Sequence, residues 1–117
     1  MIYTLLKSKI HRCRVTAKDL HYEGSITIDK ELIEEVNIIP NERVEVYNIN
    51  NGRRFTTYVI EGRAKSGDII VNGAAAHLVE KGDLLIVAAF TQMEEQDARV
   101  FEPKIIQVDK DNRIIKD

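Results

Sequence analysis

The sequence predicts a mainly-β domain rolled into a closed or nearly closed barrel, and three observations carry that prediction. Short runs of β-branched and apolar residues recur along the whole chain, at 2–6, 9–16, 43–50, 54–61, 68–72, 84–90 and 104–109. Glycine and asparagine turn signals separate several of them. Helical spacing is confined to short stretches. Many short strands with little helix must bury one face and protect their edges, and barrel closure does both.

The first two runs, at 2–6 and 9–16, alternate in part between apolar and polar residues. In HYEGSITID, at 21–29, Tyr22, Ile26, Thr27 and Ile28 favour extended backbone while Gly24 interrupts it. Such a glycine marks a bend, a bulge or a close approach. Asp29 then suits a helix N-cap, and KELIEEV after it puts Leu32, Ile33 and Val36 on one face. Asn51-Gly52, between RVEVYNIN and RRFTTYVIEG, favours the positive φ angles of a tight hairpin turn. Asn72-Gly73 followed by Ala74, Ala75 and Ala76 ends a strand and opens a turn or a single helical turn. TQMEEQDA, at 91–98, reads as a second short helix or a polar loop. DKDNRIIKD, at 109–117, reads as a small hairpin or a polar tail.

With 117 residues the chain makes one domain with one core. Its 44% hydrophobic and 31% charged residues are ordinary for a globular protein. A net charge of -2 gives no electrostatic case for binding nucleic acid or a membrane surface. MIYTLLKSKIHR lacks the apolar centre of a signal peptide, and no apolar run reaches a membrane span. The single cysteine, Cys13, cannot pair within the chain and reads as a packed thiol rather than a nucleophile. A cytoplasmic location is the resulting expectation.

Phosphate-binding glycine loops, paired-cysteine sites and His-Glu helix motifs are absent, and His11, His21 and His77 are too scattered to suggest a metal site. What remains is a set of polar residues on strands. Lys9 and His11 point to one face, as do Arg54 and Tyr58, with Phe55 and Thr57 opposite. A solvated strand face explains both pairs equally well. The small residues after Asn72 let a ligand or another backbone come close, and packing between strands is the simpler account.

Four segments together carry a resemblance: LLKSKIHRCRVT, DLHYEGSITID, NGRRFTTYVI and IIVNGAAAHLVEKGDLLIVAAF. In order and spacing they resemble the aspartate 1-decarboxylases, pyruvoyl-dependent enzymes that make β-alanine for pantothenate synthesis. The likeness runs from about Met1 to Val108. It implies a double-psi β-barrel with short helices, made as an inactive precursor that cuts itself at Gly24-Ser25. The products would be a β chain, 1–24, and an α chain, 25–117, whose pyruvoyl cofactor derives from Ser25. Neither a metal nor pyridoxal phosphate is implied. For the cut, the Ser25 hydroxyl would face the Gly24 carbonyl, and Gly24 would leave room and tolerate unusual backbone angles.

The same resemblance assigns roles. The pyruvoyl ketone would form a Schiff base with L-aspartate, Arg54 would bind a substrate carboxylate, and Lys9 would add positive charge there. Tyr58 would donate the proton, and Thr57 would border the substrate and stabilise the oxyanion of self-cleavage. Asn72, Gly73, Ala74 and Ala75 would line the site, with His11, Tyr22 and Tyr47 in support. Relatives form homotetramers with active sites between subunits, and some need a maturation factor. Three departures stand out: Tyr47 where many relatives carry tryptophan, Ile26 where some carry cysteine, and an end at Asp117 where some continue. The competing reading is a non-catalytic or uncleaved barrel that serves as a binding module.

Overall fold

The computed structural model describes residues 1–116. Eight strands form one sheet: β1 (Ile2–Arg14), β2 (Ala17–Asp19), β3 (Ser25–Asp29), β4 (Arg43–Asn48), β5 (Arg54–Gly62), β6 (Ile69–Asn72), β7 (Leu84–Glu94) and β8 (Lys104–Gln107). Their order is β2-β6-β3-β5-β4-β7-β1-β8. Only Val15 and Thr16 separate β1 from β2, yet the two strands lie near opposite ends of that order. One continuous length of chain therefore pairs with β7 at its start and β6 at its end, and the sheet closes into a six-membered circuit with β8 outside it. Thr16 seals the junction. Its backbone N–H donates to the Ile69 carbonyl at 2.9 Å, and its Oγ1 accepts from the Ile69 N–H at 3.0 Å. The mainly-β barrel is thus as expected. The closed circuit, with β3 and β5 parallel, agrees with the double-psi architecture implied by the resemblance.

The inner face is apolar because alternate residues point inward. Ile10, Val87 and Val46 form one buried rung across β1, β7 and β4, while Ile26, Val59 and Val71 form another across β3, β5 and β6. Helix α1 (Lys30–Glu35) buries Leu32 and Ile33, with Val36 just beyond it. Asp29 caps the helix as predicted, its Oδ1 accepting from the Glu31 N–H at 2.9 Å. The same carboxylate also accepts from the Lys65 and Gly67 N–H groups, which ties the 65–67 loop to the end of β3.

Several expectations change. Runs 2–6 and 9–16 are one strand with irregularities at Leu6/Ser8 and His11/Cys13. Arg12, at the second, has φ +68°, the mark of a β-bulge. Ala17–Asp19, predicted as no element, is β2, because β6 lies beside it. Residues 91–94 continue β7, paired with Ile2–Leu5, and only Glu95–Ala98 form a helical turn, α2. At Asn51-Gly52 only the glycine is left-handed (φ +76°), and the connection spans residues 49–53 rather than a two-residue turn. Within the C-terminal stretch, Val108 bridges to Ile114 and Asn112 is buried, its amide donating to the Arg14 and Gly67 carbonyls. That is the hairpin alternative. Asp117, the last residue of that reading, lies outside the described residues.

Candidate active site

Ser25 opens β3 directly after the bend at Gly24, and its side chain is fully buried. Its Oγ donates to the Glu23 carbonyl at 2.9 Å and accepts from Asn72 Nδ2 at 3.0 Å. Asn72 is its antiparallel partner on β6, which is why a residue 47 positions away reaches it. The second Asn72 amide hydrogen goes to Thr27 Oγ1 at 3.1 Å. Next in sequence, Gly73 has φ +76° and opens the 3₁₀ run Gly73–Leu78. A Cβ there would lie 2.6 Å from Gly24 Cα and 3.2 Å from the Tyr22 carbonyl oxygen. Backbone thus rests on backbone at the Cα and N of Gly24, the close approach that the small residues permit. Ala74 is exposed and Ala75 half-buried beside it.

Two local details bear on the Gly24-Ser25 bond. Gly24 is not left-handed and, its chain neighbours apart, nothing lies within 4 Å of its Cβ position, so the left-handed conformation falls on Gly73. The Ser25 hydroxyl donates to the Glu23 carbonyl, one residue before Gly24.

The second cluster lies on the outer face of β1, β7, β4 and β5. Strand register aligns His11, Ile86, Tyr47 and Arg54 in one rung, and Lys9, Ala88, Glu45 and Thr56 in another. Residues directly opposite share a face, so Lys9, His11, Tyr47 and Arg54 form one patch. The Arg54 guanidinium stacks 4.6 Å from the Tyr47 ring centroid. Among the described residues neither Lys9 nor Arg54 has a carboxylate within ion-pair distance, while Lys7, Lys18, Arg43 and Arg99 each do. Glu45, the acid on this face, is taken by Thr56 Oγ1 at 2.7 Å and Arg43 at 3.3 Å. His11 Nδ1 is buried without a partner. Burial holds the imidazole below its ordinary pKa, helped by the charges of Lys9 and Arg12.

Tyr58 links the clusters. Ile26 pairs with Val59 in parallel, which sets Tyr58 level with Ser25 on the neighbouring strand. Thr57 and Phe55 alternate to the other face, and Phe55 packs against the core. Arg54 lies four residues before Tyr58, about 13 Å along the strand. Lys9 is distant both ways round the circuit: it lies ten residues before Asp19, the β2 residue beside Asn72, and β5, β4 and β7 stand between its strand and β3 on the other side. A single chain therefore gathers Ser25, Tyr22, Thr27, Tyr58, Asn72 and Gly73, and keeps Lys9, His11, Tyr47 and Arg54 apart from them.

The aspartate decarboxylase family model matches residues 1–115. The chain belongs to that family. Aspartate 1-decarboxylase of Sulfurihydrogenibium sp. (strain YO3AOP1) is 50% identical over 117 residues, covering all of this chain and 87% of the relative. That of Pelotomaculum thermopropionicum is 53% identical over 116 residues, covering 99% and 88%. That of Thermoanaerobacter pseudethanolicus is 52% identical over 109 residues, covering 93% of each. A solved structure of the rationally designed mkDPBB_sym_86 protein overlays on 66% of this chain and 90% of its own, with a TM-score of 0.49 and 16% identity.

Other groups of this family member serve structure. Cys13 is fully buried, and burial pushes its thiol up to about 12, too high for a thiolate at neutral pH. Among the described residues no three His, Cys, Asp or Glu side chains gather as a metal site, and no helix is long and apolar enough to cross a membrane. A cleft of about 420 Å³ opens over Ala88, lined in part by Arg43, Glu45 and Phe90; neither Ser25 nor Arg54 lines it. Sequence reasoning missed Thr27 and Glu23 at the Ser25 site. Thr27 shared a strand face with Ser25 two residues away, which was the available signal; the Glu23 carbonyl left none.

Proposed function

We propose that this chain decarboxylates L-aspartate to β-alanine and carbon dioxide, for pantothenate synthesis, with a pyruvoyl group that it makes from Ser25 by cutting the Gly24–Ser25 bond. The carrying observation is the buried Ser25 hydroxyl, fixed between the Glu23 carbonyl and the Asn72 amide beside a backbone contact at Gly24. An ordinary peptide bond is protected by resonance, so cutting it unaided requires a nucleophile held at the bond. Attack by Oγ on the Gly24 carbon gives an ester, and loss of that ester leaves the α chain starting at residue 25. The family resemblance assigns Thr57, on the strand face opposite Tyr58, as the oxyanion donor of that attack.

The surroundings fit the group. Gly73 leaves clear the space that a Cβ would fill, and the Asn72 amide donates toward the former hydroxyl position. When present, the pyruvoyl group supplies a ketone that takes up the substrate amine and an electron sink for the departing carboxylate. Arg54, its guanidinium over the Tyr47 ring, presents its fork to a substrate carboxylate, and Lys9 adds charge beside it. Tyr58 holds a proton level with Ser25. Ala74 and Ala75 border the substrate, with Tyr22 and His11 in support.

Because Lys9, His11, Tyr47 and Arg54 lie apart from Ser25 within one chain, the reading includes a neighbouring copy that brings its patch to this Ser25. A cytoplasmic homotetramer with shared sites satisfies that need, and a maturation factor is part of the reading only if purified protein fails to split by itself. The test follows L-aspartate by proton NMR. Wild-type protein is expected to release β-alanine and Ser25→Ala none; equal release by both would overturn the pyruvoyl reading.

A further inference from the structure

We propose that Thr27 is a positioning residue for self-cleavage, holding the Asn72 amide on the Ser25 oxygen; this rests on the reading that Gly24–Ser25 is cut. Ser25 Oγ donates its proton to the Glu23 carbonyl, so it can offer Asn72 only lone pairs. Asn72 must present an N–H there, as it does at 3.0 Å, and its second N–H needs another acceptor. Thr27 Oγ1 is that acceptor, at 3.1 Å, on the same face of β3. The Thr27 rotamer is in turn set from behind. Its methyl Cγ2 lies 3.1 Å from where a Cβ on residue 62 would stand, so Gly62 makes room for the methyl and leaves the hydroxyl toward Asn72.

The chemistry gives that anchor a purpose. In the N-to-O shift the Oγ–carbon bond forms, the carbon–nitrogen bond breaks, and the hydroxyl proton ends on the Ser25 nitrogen. In the elimination, the Ser25 Cα proton passes to water and the Cβ–Oγ bond breaks. Its electron pair leaves with Oγ as part of the Gly24 carboxylate. Oγ is therefore the atom on which negative charge develops, and a donor already aimed at it stabilises the departing group. Without the Thr27 hydroxyl, the Asn72 amide loses one of its two anchors and its aim at Oγ.

Thr27→Val keeps shape and burial while removing the hydroxyl, and Thr27→Ser restores it. Intact-mass time courses of full-length protein should show Thr27→Val splitting roughly tenfold more slowly than wild type. Uneliminated ester should build up, trapped by hydroxylamine as a fragment ending in a Gly24 hydroxamate. Thr27→Ser should split at close to the wild-type rate. Wild-type splitting in Thr27→Val, or a Thr27→Ser as slow as Thr27→Val, would overturn the proposal while leaving self-cleavage intact. A wild-type protein that never splits after Gly24 would overturn the cleavage reading and this proposal together.

Discussion

At the β3–β6 pairing Ser25 and Asn72 are buried and hydrogen-bonded to each other and to Thr27 and the Glu23 carbonyl, whereas on the outer face of β1, β7, β4 and β5 the cations Lys9 and Arg54 have, among the described residues, no carboxylate within ion-pair distance. Both regions belong to one proposed reaction, and the contrast follows from what each must do. A step within the chain needs atoms held in a fixed arrangement before it starts, which burial and a closed set of hydrogen bonds supply. Capture of a dicarboxylate needs positive charge that no internal acid has neutralised. The same barrel delivers both, because strand alternation places one set at the β3–β6 pairing and the other across four neighbouring strands.

The sharpest way to break that contrast is Ser25→Ala. It should abolish splitting altogether and lower the melting temperature, since the buried Asn72 N–H loses its acceptor at a cost of about 1–3 kcal/mol; any remaining cut after Gly24 would refute Ser25 as the attacking group. Next comes Gly73→Ala, whose Cβ would meet Gly24 Cα at 2.6 Å on a left-handed backbone. The conformation alone costs about 1–2 kcal/mol. A lowered melting temperature and slower splitting are expected, while Gly24→Ala, with open space around it, should melt like the wild type. If Gly73→Ala melts and splits normally, the backbone contact is not as described.

Arg54→Ala acts on the other region alone. Aspartate turnover should fall about a hundredfold, the scale of losing a charged partner for a carboxylate. Splitting should continue, and stability should change by no more than about 1 kcal/mol, since an exposed cation–π contact is worth about 0.5–1 kcal/mol. Loss of splitting in this variant would erase the division between the two regions.

The smallest effect concerns His11. Its folded pKa lies below the ordinary 6.5, so between the two values the unfolded chain binds a proton that the folded chain does not. Stability should therefore fall as pH drops below about 6.5 and level off below the folded value. Urea unfolding at pH 7.5 and 5.5 should show this loss in wild type and less of it in His11→Gln.

Local chemistry made part of this structure readable from the sequence. Asp29 capping α1, Leu32, Ile33 and Val36 buried on one face, and Arg54 and Tyr58 sharing one strand face all follow from spacing within a few residues. Barrel closure through Thr16, the Arg12 bulge and the extension of β7 to Glu94 did not, because each depends on a distant strand supplying hydrogen-bond partners. The same holds at the site. Asn72 reaching Ser25, and Gly73 rather than Gly24 needing to be glycine, are consequences of pairing between β3 and β6. The distance between Ser25 and the Lys9–Arg54 patch emerges only once strand order is known.

Intact-mass spectrometry of freshly purified protein, repeated after warm incubation, tests the central claim most directly. The account predicts two fragments split after Gly24, the larger lighter by one ammonia than a chain starting with serine. A single species of 13.4 kDa that persists through incubation, even after exposure to a lysate able to supply a maturation factor, would contradict it.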